Sequence, residues 1–140
     1  MWPFGRAREK ESPDGGSAGL GRQGERLACG LLRKRGFKVL ARNYRCPAGE
    51  ADLIALDTST RKETGAETIV FVEVKTRTSD RYAPPESAVN ADKRRRMKRV
   101  ARYYLASRKA AGFGVRFDIV SVVVRTGRKP EVRHIPGAFA

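Results

Sequence analysis

The order of helical and strand patterns along this chain of 140 residues predicts an α/β fold, in which helices cover the faces of a mixed sheet. Residues 69–77, with the sequence IVFVEVKTR, predict a strand covered on both sides, because both of its faces are apolar at the start. Residues 49–57 also predict a strand, with side chains that alternate between its two faces. The two segments therefore predict an antiparallel hairpin within the sheet.

The elements follow one another as helix, three strands, helix and strand, with a short last strand. The first helix is predicted over residues 21–35, where Ala28 and Leu32 lie on its apolar stripe and Gly36 ends it. The later elements are predicted over residues 37–45, 49–57, 69–77, 86–111, 115–124 and 131–135. A polar hairpin loop is predicted over residues 58–68, between the second and third strands.

Residues 1–18, rich in Gly, Ser, Pro and charge, predict a disordered leader, and residues 19–140 a single domain. The chain start lacks the apolar run of a signal peptide, and no stretch approaches the roughly 20 apolar residues of a membrane helix. Cys29 and Cys46 match no zinc-binding spacing; a disulfide stays open, but two thiols in a reducing compartment are favoured. We therefore expect a cytoplasmic protein that does not bind a membrane.

The charge balance is strongly basic. Lys and Arg number 30 against 15 Asp and Glu, which gives a formal net charge of +15. The leader contributes nothing net to this excess, so the domain carries all of it. Such a charge favours nucleic acid as partner, and the alternative is a basic surface that only keeps the protein soluble.

The predicted hairpin brings charged side chains together at its open end. One register places four pairs opposite each other: Leu56 with Ile69, Ile54 with Phe71, Asp52 with Glu73, and Glu50 with Lys75. Two opposed carboxylates repel each other unless a cation lies between them. The pair Asp52 and Glu73 therefore predicts a site for a divalent metal ion.

The long second helix carries a basic surface. Lys93 falls on its apolar stripe with Met97 and Val100, an unusual position for a lysine. Many cations without acidic partners repel each other, and a polyanion would relieve that repulsion. We predict that backbone phosphates are contacted by a set of residues on the helix and in the loop before it: Arg77, Arg81, Lys93, Arg94, Arg95, Arg96, Lys98 and Arg99.

Four blocks of the chain, taken together, resemble the PD-(D/E)XK nuclease superfamily, whose restriction-endonuclease-like core has the order αβββαβ. The blocks are Gly24-Glu25, GEADLI at residues 49–54, FVEVKTR at residues 71–77, and Arg116-Phe117-Asp118. They are more narrowly similar to the bacterial YraN-like family, which is related to archaeal Holliday-junction resolvases. The resemblance covers residues 20–124. Ala51 departs from the superfamily motif, which has proline at that position.

The resemblance implies a metal-dependent endonuclease that acts on DNA, with branched DNA as one substrate class. Asp52 and Glu73 would then be ligands of Mg²⁺ or Mn²⁺, and the carbonyl of Val74 a further ligand. Glu25 would complete the metal site or orient its waters, and Lys75 would orient or activate the attacking water. The alternative is a non-catalytic nucleic-acid-binding module with the same fold. Whether the protein forms a homodimer is left open by the sequence.

Overall fold

The computed structural model describes residues 16–78 and 89–140. Within these ranges, three helices and five strands follow one another. The elements are α1 (Gly16–Lys34), β1 (Lys38–Cys46), β2 (Gly49–Asp57), α2 (Arg61–Thr64), β3 (Thr68–Arg77), α3 (Ala91–Arg108), β4 (Gly114–Val123) and β5 (Glu131–Phe139). The predicted α/β class is confirmed, as a mixed five-stranded sheet with helices against its faces.

The sheet has the strand order β1-β2-β3-β4-β5. Among the strands of the described ranges, only β3 and β4 pair in parallel, and the chain between them contains α3, as a parallel pair requires a crossover connection. The β2–β3 hairpin has the predicted register, with Leu56 opposite Ile69 and Ile54 opposite Phe71. The predicted divalent-metal pair therefore lies at the end of β2–β3 that is far from the connecting turn.

The two sheet faces pack against different helices, as the alternation of side chains along β3 requires. Phe71 lies in a cluster with Met97, Val100 and Tyr104 of α3. Val70 and Val72, and the other residues of their face, pack with Ala28, Cys29 and Leu32 of α1. The hairpin is therefore held between the helices, with α3 on the face that Glu73 shares and α1 on the other.

A buried ion-pair network joins β4 to its neighbours on the α1 face. Arg116 donates hydrogen bonds to Asp118 from Nε (2.8 Å) and Nη2 (2.9 Å), and to Asp57 from Nη1 (2.9 Å). His134 Nε2 lies 2.7 Å from Asp118, and the Gly137 amide donates to the same carboxylate at 3.0 Å. Asp118 is fully buried, so these partners replace the water that it loses on folding.

Several predicted boundaries are wrong. Helix α1 begins at Gly16, inside the predicted leader, and the rest of that leader lies outside the described residues. The predicted loop at 58–68 contains a turn of 3₁₀ helix (Thr58–Thr60) and α2. The Asp57 side chain starts that turn by accepting hydrogen bonds from the Ser59 amide (3.0 Å) and hydroxyl (2.6 Å).

Helix α3 and strand β5 also differ from their predicted lengths. Helix α3 begins at Ala91 rather than residue 86, because the Asn90 side chain caps it by accepting from the Lys93 amide at 2.9 Å. It ends at Arg108, because Lys109 adopts the left-handed conformation with φ 52°. Strand β5 runs four residues further than predicted, to Phe139, whose ring stacks on Phe117 at 5.1 Å.

Both cysteines are free thiols, Cys29 in the core and Cys46 partly exposed, as the sequence favours. Among the helices of the described ranges, none combines the length and apolar composition that a membrane crossing requires.

Candidate active site

Strands β2 and β3 stop pairing where the acidic residues begin. The last pair of the ladder is Leu53 with Val72, and beyond it the Val74 amide donates to Asp52 Oδ2 at 2.8 Å. The Asp52 carboxylate therefore replaces a backbone acceptor of β2 and is held against β3. Because the N–H and C=O of one strand residue point the same way, the Val74 carbonyl is directed to the same gap.

Asp52 and Glu73 are close enough to repel each other. Burial raises the pKa of Asp52 to about 7, and the negative charges of Glu73 and Glu25 act in the same direction. The hydrogen bond from Val74 only partly opposes this rise in pKa. Glu73 is 7% exposed, so water screens the pair poorly. A cation beside the pair would relieve this repulsion.

Glu25 approaches this site because of its neighbour Gly24. Gly24 lies where α1 crosses β3, and a Cβ there would be 1.8 Å from the Thr76 hydroxyl and 2.9 Å from Thr76 Cβ. No larger residue permits this approach of helix and strand. The Gly24-Glu25 block thus brings a third carboxylate toward Asp52 from the opposite face of the sheet, where its charge adds to the rise in the pKa of Asp52.

Two lysine ammonium groups contact Glu73. Lys75 Nζ lies 3.6 Å from Glu73 Oε1, and Lys93 Nζ forms an ion pair with the same oxygen. Burial lowers the pKa of Lys75, and the adjacent Lys93 lowers it further. Burial also acts to lower the pKa of Lys93, but the hydrogen bond and charge of Glu73 outweigh it, and that pKa is raised. Lys75 is therefore the lysine whose amine loses its proton more easily.

The carboxylates open into a pocket of about 650 Å³ between α3 and the β1–β2 turn. Its walls include Asp52, Glu73 and Lys93, with Arg45 and Arg96 as further cations. The close contact of the turn with α3 requires Gly49, which has φ 140° and would place a Cβ 3.0 Å from Arg96 Cγ. The lining of the pocket thus combines carboxylates with cations, an arrangement that suits a phosphate bound through a metal ion.

Glu50 does not meet Lys75 as the extended register predicts. The β2–β3 ladder ends before this pair, and Glu50 instead pairs with Arg45 across the β1–β2 ladder, with 3.5 Å between Nε and Oε1. Arg45 was not predicted as a site residue. The sequence feature that could have identified it is the tight turn at Pro47-Ala48, which places Arg45 opposite Glu50.

The oxygen donors at this site fit Mg²⁺ or Mn²⁺ in kind. Mg²⁺ usually binds through one or two carboxylates and keeps several waters, and Asp52 and Glu73 supply two carboxylates beside the Val74 carbonyl. The Lys93 ammonium on Glu73 also indicates that this position accepts positive charge. Across the described ranges, no three His, Cys, Asp or Glu side chains are grouped to hold a metal. Glu25 is therefore not brought into a set of three ligands.

The predicted phosphate-binding residues differ in their surroundings. Lys98 is partly exposed and Arg99 exposed on α3, whereas Arg95 pairs with Asp92 of the same helix. Arg94 donates to the Val89 carbonyl at 3.0 Å and lies over the Phe139 ring. The Arg94 side chain is thus engaged in contacts within the protein.

Two of the predicted phosphate-binding residues, Arg77 and Arg81, were expected in the loop before α3, but Arg77 is the last residue of β3. Arg77 is partly buried at the end of β3, and its amide oxygen accepts from Val124 at 2.8 Å. Arg81 lies outside the described residues.

Comparison with known proteins identifies the relatives of this chain. The signature of the uncharacterised protein family UPF0102 matches residues 24–122, which include the Gly24-Glu25 block and the site strands. A UPF0102 protein of Geobacter metallireducens is 42% identical over 120 residues, covering 86% of this chain and 91% of that protein. One of Moorella thermoacetica is 44% identical, covering 85% and 93%. The chain therefore belongs to the family UPF0102, the YraN-like family that its sequence resembles.

Proposed function

We propose that this protein is a Mg²⁺- or Mn²⁺-dependent endonuclease that hydrolyses phosphodiester bonds of DNA, with the restriction-endonuclease-like core of the PD-(D/E)XK superfamily. The observation that carries the proposal is the placement of Asp52, Glu73 and Lys75 at the unpaired end of one hairpin, beside a basic pocket. A protein that only binds nucleic acid would gain by losing carboxylates that repel phosphate. Retaining two of them in a basic protein favours catalysis.

Each residue then has a chemical role. Asp52, Glu73 and the Val74 carbonyl would hold the metal, with Glu25 directed to its waters. Bound there, the ion would polarise the scissile phosphate and supply a water of lowered pKa. Lys75 orients or deprotonates the attacking water, a role that its lowered pKa supports. Its ammonium form also offsets the negative charge that develops on the phosphate.

The proposed substrate is DNA held through its backbone. Arg45, Lys93 and Arg96 surround the pocket, and Lys98 and Arg99 continue the positive charge along α3. Evenly placed cations contact phosphates and carry little sequence information. We therefore propose recognition of DNA shape, with branched junctions as the substrate to test first.

Cleavage of labelled four-way, duplex and single-stranded DNA, with Mg²⁺, Mn²⁺ or EDTA, tests the proposal. Lys75→Ala should lose at least roughly 10²-fold in cleavage rate. Its DNA affinity should stay within about twofold, because one cation adds little to many phosphate contacts. Lys62→Ala is the matched control, since Lys62 is an exposed lysine of α2 at the far end of the hairpin. Affinity that falls in step with cleavage would instead make Lys75 a binding residue.

The metal site has an independent test without DNA. Mg²⁺ or Mn²⁺ should raise the melting temperature of the wild-type protein by mass action, and Asp52→Asn should remove most of that gain. An equal gain in both proteins would place the metal elsewhere.

The observation that favours the alternative, a non-catalytic nucleic-acid-binding module, is the neutralisation of Glu73 by two lysines. DNA binding without cleavage in any metal would establish that alternative.

A further inference from the structure

Lys93 makes the closest cation contact of the site from an element that the nuclease motif does not include. It lies in the first turn of α3, where the Asn90 cap accepts a hydrogen bond from its amide at 2.9 Å. Its side chain is 31% exposed and lines the pocket, and its ammonium contacts Glu73 Oε1. The position is thus fixed by the helix start and open to the solvent of the pocket.

Three cations cannot share Glu73 without cost, because they repel one another. Its Oε1 already has Lys93 in contact and Lys75 at 3.6 Å. A divalent cation bound to the same carboxylate would be repelled by both ammonium groups at short range. Both lysines have the same flexible side chain, but Lys93, on the separate helix α3, forms part of the pocket wall and Lys75 does not. Lys93 is therefore the cation that can withdraw into the pocket.

We propose that Lys93 is a positioning residue that holds Glu73 before the metal binds and exchanges with the metal for that carboxylate. The inference rests on the proposed function, since it takes Glu73 as a metal ligand. It explains a lysine on the inner stripe of α3, where Met97, Val100 and Tyr104 are buried. In the metal-free protein the ammonium of Lys93 supplies a counter-charge to Glu73.

The test measures metal affinity by calorimetric titration of Mn²⁺ into the full chain, with no DNA present. Lys93→Met removes the competing ammonium and keeps an unbranched side chain of similar length, so Mn²⁺ should bind roughly tenfold more tightly than to the wild type. Lys93→Arg keeps the cation and should bind like the wild type. Arg96→Met is the matched control, because it removes one charge from the same pocket and helix without touching Glu73, and its gain should be much smaller.

The outcomes separate this inference from the proposed function. Equal or weaker Mn²⁺ binding by Lys93→Met overturns the exchange but leaves the metal site standing. The same gain in Arg96→Met also overturns it, because general electrostatics would then suffice. Absence of binding in every protein overturns both the metal site and the exchange. If Lys93→Met does not fold, Lys93→Gln is compared with Arg96→Gln by the same criterion.

Discussion

At the scale of single residues, the pKa values of two carboxylates, Asp118 and Asp52, are shifted in opposite directions. Burial pushes both pKa values upward. At Asp118 the hydrogen bonds from His134, Arg116 and the Gly137 amide outweigh burial, and the pKa is lowered. At Asp52 the neighbouring carboxylate adds to burial, and the pKa is raised to about 7. Asp118 therefore stabilises the fold, whereas ionised Asp52 destabilises it unless a cation binds.

Asp118→Asn should lower the free energy of unfolding at pH 7 by roughly 3 kcal/mol, because Arg116 loses a buried partner. This corresponds to a fall in melting temperature on the order of 10 °C. The folded pKa of Asp118 lies below the unfolded value of about 3.9, so its stabilisation is present above that pH and is lost as the pH falls through the folded pKa. Thermal melts from pH 7 to pH 3 should show the two proteins converging in acid. A constant difference would contradict this reading of the network.

Asp52→Asn should have the opposite effect in EDTA. The folded pKa of about 7 exceeds the unfolded value of about 3.9, so the destabilisation by Asp52 begins above pH 4 and is complete only above pH 7. Asparagine retains an oxygen for the Val74 amide without the charge. At pH 8 we expect the variant to melt higher than the wild type by about 4 °C or more, with the difference vanishing near pH 4. A variant that melts lower at pH 8 would show that Asp52 is adequately paired without metal.

The sequence predicts which residues form this site better than it predicts their partners. The alternation of β2 and β3 suffices to bring Asp52 and Glu73 to the same end of the hairpin, because the register pairs Leu56 with Ile69 and Ile54 with Phe71. The contact between Lys93 and Glu73 depends on how α3 crosses the sheet, which no local pattern specifies. The sequence therefore marks Lys93 as unusual but does not identify its partner.

At the scale of elements, the crossing of α1 over β3 depends on Gly24. Gly24→Ala should lower the melting temperature, because its Cβ would meet Thr76 Cβ at 2.9 Å and no rotamer change moves that atom away. Gly30→Ala is the matched control on the same helix. No atom lies within 4 Å of a Cβ at Gly30, so alanine should stabilise the helix by up to about 1 kcal/mol. Thermal melts of the two variants should therefore shift in opposite directions, and a common direction would contradict the assigned packing.

Element boundaries are predictable where a local signal controls them. Gly36, with φ 87°, follows α1 as predicted. Helix α3 begins at Ala91 and not at the predicted residue 86, because the Asn90 side chain caps it. Strand β5 exceeds its prediction because Phe139 stacks on Phe117, a contact between residues that are distant in sequence. Tertiary packing thus explains the part of the fold that periodicity missed.

At the scale of the whole molecule, exposed basic residues lie on both faces of the sheet, but the two faces are expected to contribute differently to DNA binding. The net charge of +15 attracts polyanions to the protein generally. Arg99 and Arg102 are exposed on α3, the helix that lines the pocket, whereas Arg33 and Lys34 are exposed on α1, which covers the opposite face of the sheet. Only the first pair lies on the face where the proposed substrate binds.

Arg99→Ala combined with Arg102→Ala should therefore weaken duplex DNA binding by removing contacts with backbone phosphates. Each neutralised phosphate contributes about 0.9 to the slope of log affinity against log salt, so the slope should fall by roughly one to two units. Binding of unrelated sequences should weaken equally. Arg33→Ala combined with Lys34→Ala removes the same charge from the other face and should leave the slope nearly unchanged. Fluorescence anisotropy in EDTA, at salt concentrations from about 50 to 200 mM, measures both. Equal slopes for the two double variants would show that net charge alone attracts DNA, and that α3 does not track its backbone.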